Sequence, residues 1–325
     1  MDKLRTTYLG VELNSPLIVS SSSLTSTPDR LREAEDNGAG AVVLKSLFEE
    51  QINYHSKSLA KDESYPEADD YIAYYTRSKS VEEYLNLIRI ARESLSIPVI
   101  PSINCISAEG WTDFARHVAD AGADALEVNV FFLPADSRQS SAEAEKLYFT
   151  LVEKLKKTIS IPVVIKLGFR FSNILYMLDQ LYRRGVNGVV LFNRFFEPDI
   201  DIEGMNIIPA SIFSTASDKR YVLRWVAMGS ALNIKLDISA STGVHSGDDA
   251  VRYLLAGAST VQVCSILYTK GLGYLKTMNR QISDWMDRKG FAHVKDFRGK
   301  LNYRNIDMPS VYERAQFMKY FSSHD

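Results

Sequence analysis

The chain has 325 residues, 46 % of them hydrophobic and 24 % charged, with a formal net charge of −2. That balance gives no basic footprint for nucleic acid or an anionic membrane, and two cysteines, Cys105 and Cys264, exclude a disulfide framework and a cysteine-based zinc or iron–sulfur site. No apolar run approaches the ~20 residues that span a bilayer, and the opening MDKLRTTYLG lacks a signal-peptide core, so a cytoplasmic protein is expected.

In chain order, Thr6–Leu13 around Gly10 reads as a small hairpin plugging one end of the fold. Eight apolar, β-branched runs follow: Leu17–Ser20, Ala41–Lys45, Pro98–Ile103, Ala125–Asn129, Pro162–Lys166, Gly188–Asn193, Leu236–Ala240 and Thr260–Cys264. Helical patterns lie between them, over Pro28–Asn37, Val81–Leu95, Ala108–Ala121, Ala142–Ile159, Ile174–Arg184, Lys219–Leu232, Ser246–Leu255 and Gly271–Lys289. Ser-Ile-Pro-Val recurs at Ser96–Val99 and Ser160–Val163, each time a helix exit and a strand entry. The strands are continuous apolar runs, as when both faces are buried. Eight repeats favour a single α/β domain over residues 1–325, a closed (β/α)8 TIM barrel, over a doubly wound open sheet. One long insertion, Glu49–Lys79, follows the second strand. It is polar and carries Tyr54, Tyr65, Tyr71, Tyr74 and Tyr75, which suits a lid, an oligomer contact or a solvated loop.

In this architecture chemistry sits at the C-terminal ends of the strands. Those ends supply Ser20, Ser21 and Ser22; Lys45 and Ser46; Asn104 and Cys105; Asn129; Lys166; and Asn193. The seventh and eighth strands end in turns of small residues, Thr242-Gly243 and Cys264-Ser265, each feeding a helix. Such turns can hold one phosphate between them. Two lysines and three amides at an apolar mouth either pair with acidic neighbours such as Glu127 or face an anionic planar group. With the phosphate turns they suit a flavin, whose reduced ring carries negative charge.

The order and spacing of Thr6-Thr7-Tyr8-Leu9-Gly10-Val11-Glu12-Leu13, Asn14-Ser15-Pro16, Lys45-Ser46, Glu127-Val128-Asn129, Val164-Ile165-Lys166-Leu167, Asn193, Thr242-Gly243-Val244, Gly247-Asp248-Asp249-Ala250 and Leu255-Ala256-Gly257-Ala258 with Val261-Gln262-Val263 resemble the class 1 dihydroorotate dehydrogenases. The resemblance covers nearly the whole chain. It implies an FMN-dependent oxidoreductase acting on CH–CH groups in pyrimidine biosynthesis, with no metal. The FMN phosphate would lie on Thr242-Gly243 and Cys264-Ser265. The ring would lie near Ser20, Ser21 and Ser22 with Ser46, with Lys45 and Lys166 against it and Asn129 and Asn193 holding flavin and substrate. A homodimer, and a soluble acceptor or partner subunit for the electrons, are implied as well.

The chain departs from the family where the substrate binds. Family members follow the strand-four Asn with Ser-Cys-Pro-Asn, whose Cys takes a carbon-bound proton. Here Asn129-Val130-Phe131-Phe132-Leu133-Pro134 stands instead, with Phe132 at the base position. Tyr71–Ser80 replaces the substrate loop, and Arg194-Phe195-Phe196 replaces a run of small residues. The expected substrate is dihydroorotate. The alternatives are another small molecule bound by those aromatic residues, or a flavin barrel without turnover. Ser137 or Cys105 could supply a base from elsewhere.

Overall fold

Thr6–Tyr8 (β1) folds back on Val11–Leu13 (β2) through Leu9 and Gly10, both at positive φ (55° and 82°). This turn geometry matches the twist of paired strands. Leu9 holds its unfavourable backbone because its N–H donates to Asp237 Oδ2 at 2.8 Å. A Cβ at Gly188 would fall 2.9 Å from Leu9 Cδ2, so a glycine there makes room for it. The hairpin opens the computed structural model, which describes residues 2–48, 68–105, 112–130, 132–195 and 197–314.

The barrel strands are Leu17–Val19 (β3), Ala41–Val43 (β4) extended by Leu47–Phe48 (β5), Val99–Ile100 (β6) with Ser102–Cys105 (β7), Leu126–Val130 (β8), Val163–Leu167 (β9) and Gly188–Leu191 (β10). A surface hairpin, Pro198–Asp201 (β11) and Asn206–Pro209 (β12), precedes Asp237–Ala240 (β13) and Thr260–Val263 (β14). All neighbouring pairs in the large sheet are parallel, and β14 returns to β3. Pro101 splits the third barrel strand because it has no N–H to give. The segment is still shared: Leu44 N donates to Ile100 O at 2.9 Å on one side, and Glu127 N to Pro101 O at 2.9 Å on the other. That sharing closes the ring of eight, as the sequence pattern leads one to expect for a TIM barrel.

Helices Pro28–Asp36 (α1), Ala68–Ser94 (α2), Thr112–Asp120 (α3), Ser141–Thr158 (α4), Ile174–Arg183 (α5), Lys219–Gly229 (α6) and Gly247–Ala256 (α7) alternate with the strands. Ser265–Lys270 (α8) and Tyr274–Lys289 (α9) follow β14. Local chemistry fixes their ends. Ser140 and Glu143 form a reciprocal capping box on α4. Ser246 caps α7, and Gly257, at φ 111°, stops it. Helix α2 begins well before the Val81 expected from periodicity, so 68–80 are helix and not insertion. Nothing from Ala68 to Ser80 is Gly or Pro, and the last breaker is Pro66. The rest of the expected insertion, 49–67, lies outside the described residues.

Two apolar clusters form. One, with Leu31, Ile88, Leu155, Leu178 and Met278, lies between sheet and helices. The other fills the barrel, where Tyr8 and Leu13 of the plug meet Ile18, Ala41, Val43, Ile100, Ala125, Val164 and Val190. Above that layer the interior turns polar. Asn104, Asn129 and Lys166 stand side by side across β7, β8 and β9, with Ser20, Ser239, Thr260 and Gln262 also buried. Because side chains alternate along each strand, a polar upper layer over an apolar floor confines chemistry to the C-terminal mouth.

Candidate active site

Lys166 is buried, with its side chain 6 % exposed, and donates to Ser20 Oγ and Gln262 Oε1, both at 3.1 Å. Glu127, 1 % exposed, lies 3.5 Å from the ammonium, and Gln262 Nε2 donates to its other oxygen at 2.6 Å. Ser20 Oγ completes the set by donating to Gln262 Oε1 at 3.0 Å. Four strands thus hold one ammonium in fixed orientation. Removing one partner of such a buried pair costs about 3–5 kcal/mol, since the other charge is left unpaired. Below it, burial and then the Glu127 and Asp237 charges push the Tyr8 phenol well above its usual range.

The layer opens into a cavity of about 590 Å³ at the ends of β9, β10, β13 and β14, within the size range of cofactor sites. Thr242 and Gly243 turn there with positive φ (79° and 74°). A Cβ on Gly243 would fall 2.3 Å from Lys219 N, so the turn lies directly against the start of α6. Ser265, at the start of α8, accepts from Ser214 N at 3.0 Å and from Ser214 Oγ at 3.1 Å, which leaves its own proton to donate. Lys219 is held from behind by Asp249 at 3.0 Å. Burial would raise the Asp249 carboxyl, but Lys219 together with the His245 N–H and Ser246 hydroxyl holds it below its usual range. Burial pushes the Cys264 thiol up, against the Lys166 charge and a hydrogen bond with Ser22, so it is a neutral thiol near pH 7.

The cavity brings together Ser20, Ser21, Lys166, Asn193, Thr242, Gly243, Cys264 and Ser265 from the sequence-predicted set. Asn129 is buried behind them, accepting from Asn193 Nδ2 at 2.8 Å. Ser22 caps the short turn Ser23–Thr25. Ser46 lies one contact away, 2.9 Å from Ser21 Oγ and 2.8 Å from Ser102 Oγ. Lys45 stands apart. It is exposed and lines a second pocket of about 460 Å³ with Leu47, Phe48, Glu83 and Tyr84. It is not among the residues lining the cavity that Lys166 enters.

Sequence reasoning missed Gln262, Ser214 and the β11–β12 hairpin. Gln262 is the polar residue in Thr260-Val-Gln-Val263, an inward position legible from alternation. Ser214 arrives from a loop and carries no local signal. The hairpin is legible in Asp199-Ile-Asp-Ile202 followed by Glu203-Gly204, a period-two run before a turn. Of the family-departing residues, Arg194 and Phe195 stand on the cavity wall, Arg194 reaching Asp218 Oδ2 at 3.0 Å and the Ser211 carbonyl at 2.6 Å. Phe132 instead packs against the helix–sheet core, and Ser137 is exposed. Phe131, Phe196 and the Cys105 side chain lie outside the described residues.

A closed barrel with a buried ammonium beneath a mouth of serines, amides and paired small-residue turns is the class of barrel that can hold a planar, phosphate-bearing cofactor. The family model described as dihydroorotate dehydrogenase matches residues 3–286, and the chain belongs to that family. It is 28 % identical over 311 residues to the dihydroorotate dehydrogenase B (NAD(+)) catalytic subunit of Thermoplasma acidophilum, covering 92 % of this chain and 99 % of that one. It is 27 % identical over 295 residues to the protein of the same name from Methanocaldococcus jannaschii, covering 89 % and 95 %. FMN is the cofactor of this family, and the residues present fit it. The Gly243 and Ser265 turns line the cavity together, and beside Asn129 the buried Asn104 Oδ1 has no hydrogen-bond partner among the described residues.

Proposed function

We propose that the chain, as one domain, oxidises a small CH–CH substrate of the dihydroorotate type with FMN as its cofactor. The observation that carries this is the buried ammonium of Lys166 on the cavity floor, fixed by Ser20 and Gln262 opposite the Gly243 and Ser265 turns. FMN supplies the hydride acceptor. The chain supplies the rest: the Thr242-Gly243 and Cys264-Ser265 turns would bind a phosphate through backbone N–H groups, with that of Gly243 leaving its long 3.4 Å contact to Ser214 Oγ, and through the free Ser265 proton. Ser20 and Ser21 leave room for a flat ring, and Lys166 stabilises negative charge on it. Asn193, oriented by Asn129, would donate to ring or substrate carbonyls. Ser46 would support this wall through Ser21, and Lys45 is left outside the cofactor contacts.

Purified protein is expected to be yellow and to release FMN, not FAD, on denaturation, because one phosphate cradle accompanies the ring site. Colourless protein that takes up no added FMN at micromolar concentration would end this reading. The relatives named above are catalytic subunits of an NAD-linked enzyme, so the electrons are proposed to pass to a soluble acceptor or a partner subunit.

We also propose a cytoplasmic homodimer; no helix among the described residues is long and apolar enough to cross a membrane. The ribbon β11–β12 gives this a surface. Ile200 pairs with Ile207, and Pro198 with Pro209, so they share a face with Ile202 and Met205 beyond them. Ile200, Ile202, Met205 and Ile207 are 62–88 % exposed, and a two-stranded ribbon with a bare apolar face is poorly stable alone. Ile200→Asp with Ile207→Asp should halve the molar mass measured by light scattering while leaving FMN bound. An unchanged mass would remove the ribbon from the dimer contact.

A further inference from the structure

Glu127 brings a negative charge beneath the floor of the cofactor cavity, under Lys166. Its Oε2 accepts from Gln262 Nε2 at 2.6 Å. Its Oε1 has no hydrogen-bond donor among the described residues and stands 3.5 Å from Lys166 Nζ. The hydrogen bonds of this cluster ask for an acceptor at the Glu127 position, not for a charge: a neutral amide oxygen would serve Gln262 equally well. The charge acts on Lys166. Two contacts, to Ser20 Oγ and Gln262 Oε1, keep the ammonium from swinging away from the carboxylate.

We propose that Glu127 sets the reduction potential of the bound flavin by offsetting the field of Lys166. The inference rests on the FMN reading above. Reduction of the ring by a hydride adds one negative charge to it. A cation on the cavity floor favours that charge, and a carboxylate beside the cation disfavours it. In a site where both side chains are almost wholly shielded from water, neither contribution is screened away. Glu127 acts through Lys166 and is a positioning residue. The pair gives the flavin a weaker oxidising power than a lone lysine would give it.

Glu127→Gln keeps the shape and an acceptor for Gln262 and removes the charge. In the FMN-loaded variant the midpoint potential is expected to rise above wild type. Sulfite, which binds more tightly to more electron-poor flavins, should bind at least tenfold tighter. Lys166→Gln with Glu127→Gln should match Lys166→Gln alone in both measurements, because without the ammonium there is no field for the carboxylate to offset. A merely structural Glu127 would lower thermal stability or FMN retention and leave both readings on the remaining holoprotein within twofold of wild type, which would overturn the proposal. Should Glu127→Gln not accumulate folded, Glu127→Asp draws the charge one methylene away from Lys166. It should then shift both readings the same way by less, and an unchanged or lowered potential overturns the proposal equally. A wild-type protein that takes up no FMN would instead remove the cofactor reading itself.

Discussion

Gly243→Asp is expected to weaken FMN retention by at least ~100-fold, about 2.7 kcal/mol. Two effects act together. The backbone there is at φ 74°, which a residue with a Cβ adopts at a cost, and the Cβ would stand 2.3 Å from Lys219 N at the start of α6. The turn or the helix must shift, and the N–H groups that would face a phosphate shift with them. The carboxylate then adds a negative charge where a dianion should sit. Gly243→Ala separates the two, since it brings the clash without the charge and should lose less. Ser265→Ala removes one hydroxyl donor to a charged group, worth about 1.5–3 kcal/mol, and leaves Gly243 unchanged, though it also takes away the acceptor of the Ser214 N–H and hydroxyl. Fluorescence titration of the apoprotein with FMN measures all three, with riboflavin as the phosphate-free control. If Gly243→Asp bound FMN as tightly as wild type, the phosphate would have to lie elsewhere.

The barrel was legible because its signals are local. Ser96–Val99 and Ser160–Val163 stop a helix with a proline and begin a buried strand, and β6 and β9 form where that pattern places them. Thr6–Leu13 showed its Gly turn and its alternation, and the structure puts Tyr8 and Leu13 under the barrel floor. The errors have physical causes too. Ala68–Ser80 is polar without Gly or Pro, and polarity suggested loop where the absence of breakers lets a helix continue. The β11–β12 ribbon was overlooked because its apolar residues face solvent, against the expectation that alternation marks a core face.

The site was legible where a strand ends on an inward residue. Lys166 follows four apolar residues of its strand run, so its depth could be inferred, and Glu127 on the neighbouring strand could be named as a partner. Lys45 looks the same in sequence, but β4 stops at Val43 and β5 starts only at Leu47, so Lys45 lies between strands, where it lines the second pocket. Two lysines at equivalent strand ends therefore have different surroundings, a difference set by backbone geometry and not by residue type. The Gln262 bridge between Lys166 and Glu127 is a three-strand contact, and no spacing along one strand announces it.

Dihydroorotate is expected to reduce this flavin roughly 10²–10⁴-fold more slowly than it reduces that of a relative with Cys at the base position, the usual worth of a positioned base. The reaction removes a proton from carbon as the hydride leaves, and the side chain must stand beside that carbon to take it. Phe132 has no proton acceptor, and it packs, partly buried, against the helix–sheet core and is not among the residues lining the cavity. Among the described residues lining the cavity, the carboxylate is Glu197, ion-paired with Arg170 at 2.7 Å, and the thiol is Cys264, kept neutral by burial. Phe132→Cys should therefore fail to restore a family-like rate, since it places the thiol at a position that does not open on the cavity. Arg194 and Phe195 would still occupy the wall. Anaerobic stopped-flow reduction, followed by flavin bleaching, gives the rate directly. A rate within tenfold of such a relative would mean that a base reaches the substrate from another segment. Ser137→Ala and Cys105→Ala would then identify it, because losing the true base removes the pH-dependent limb of the reduction rate and losing a bystander does not.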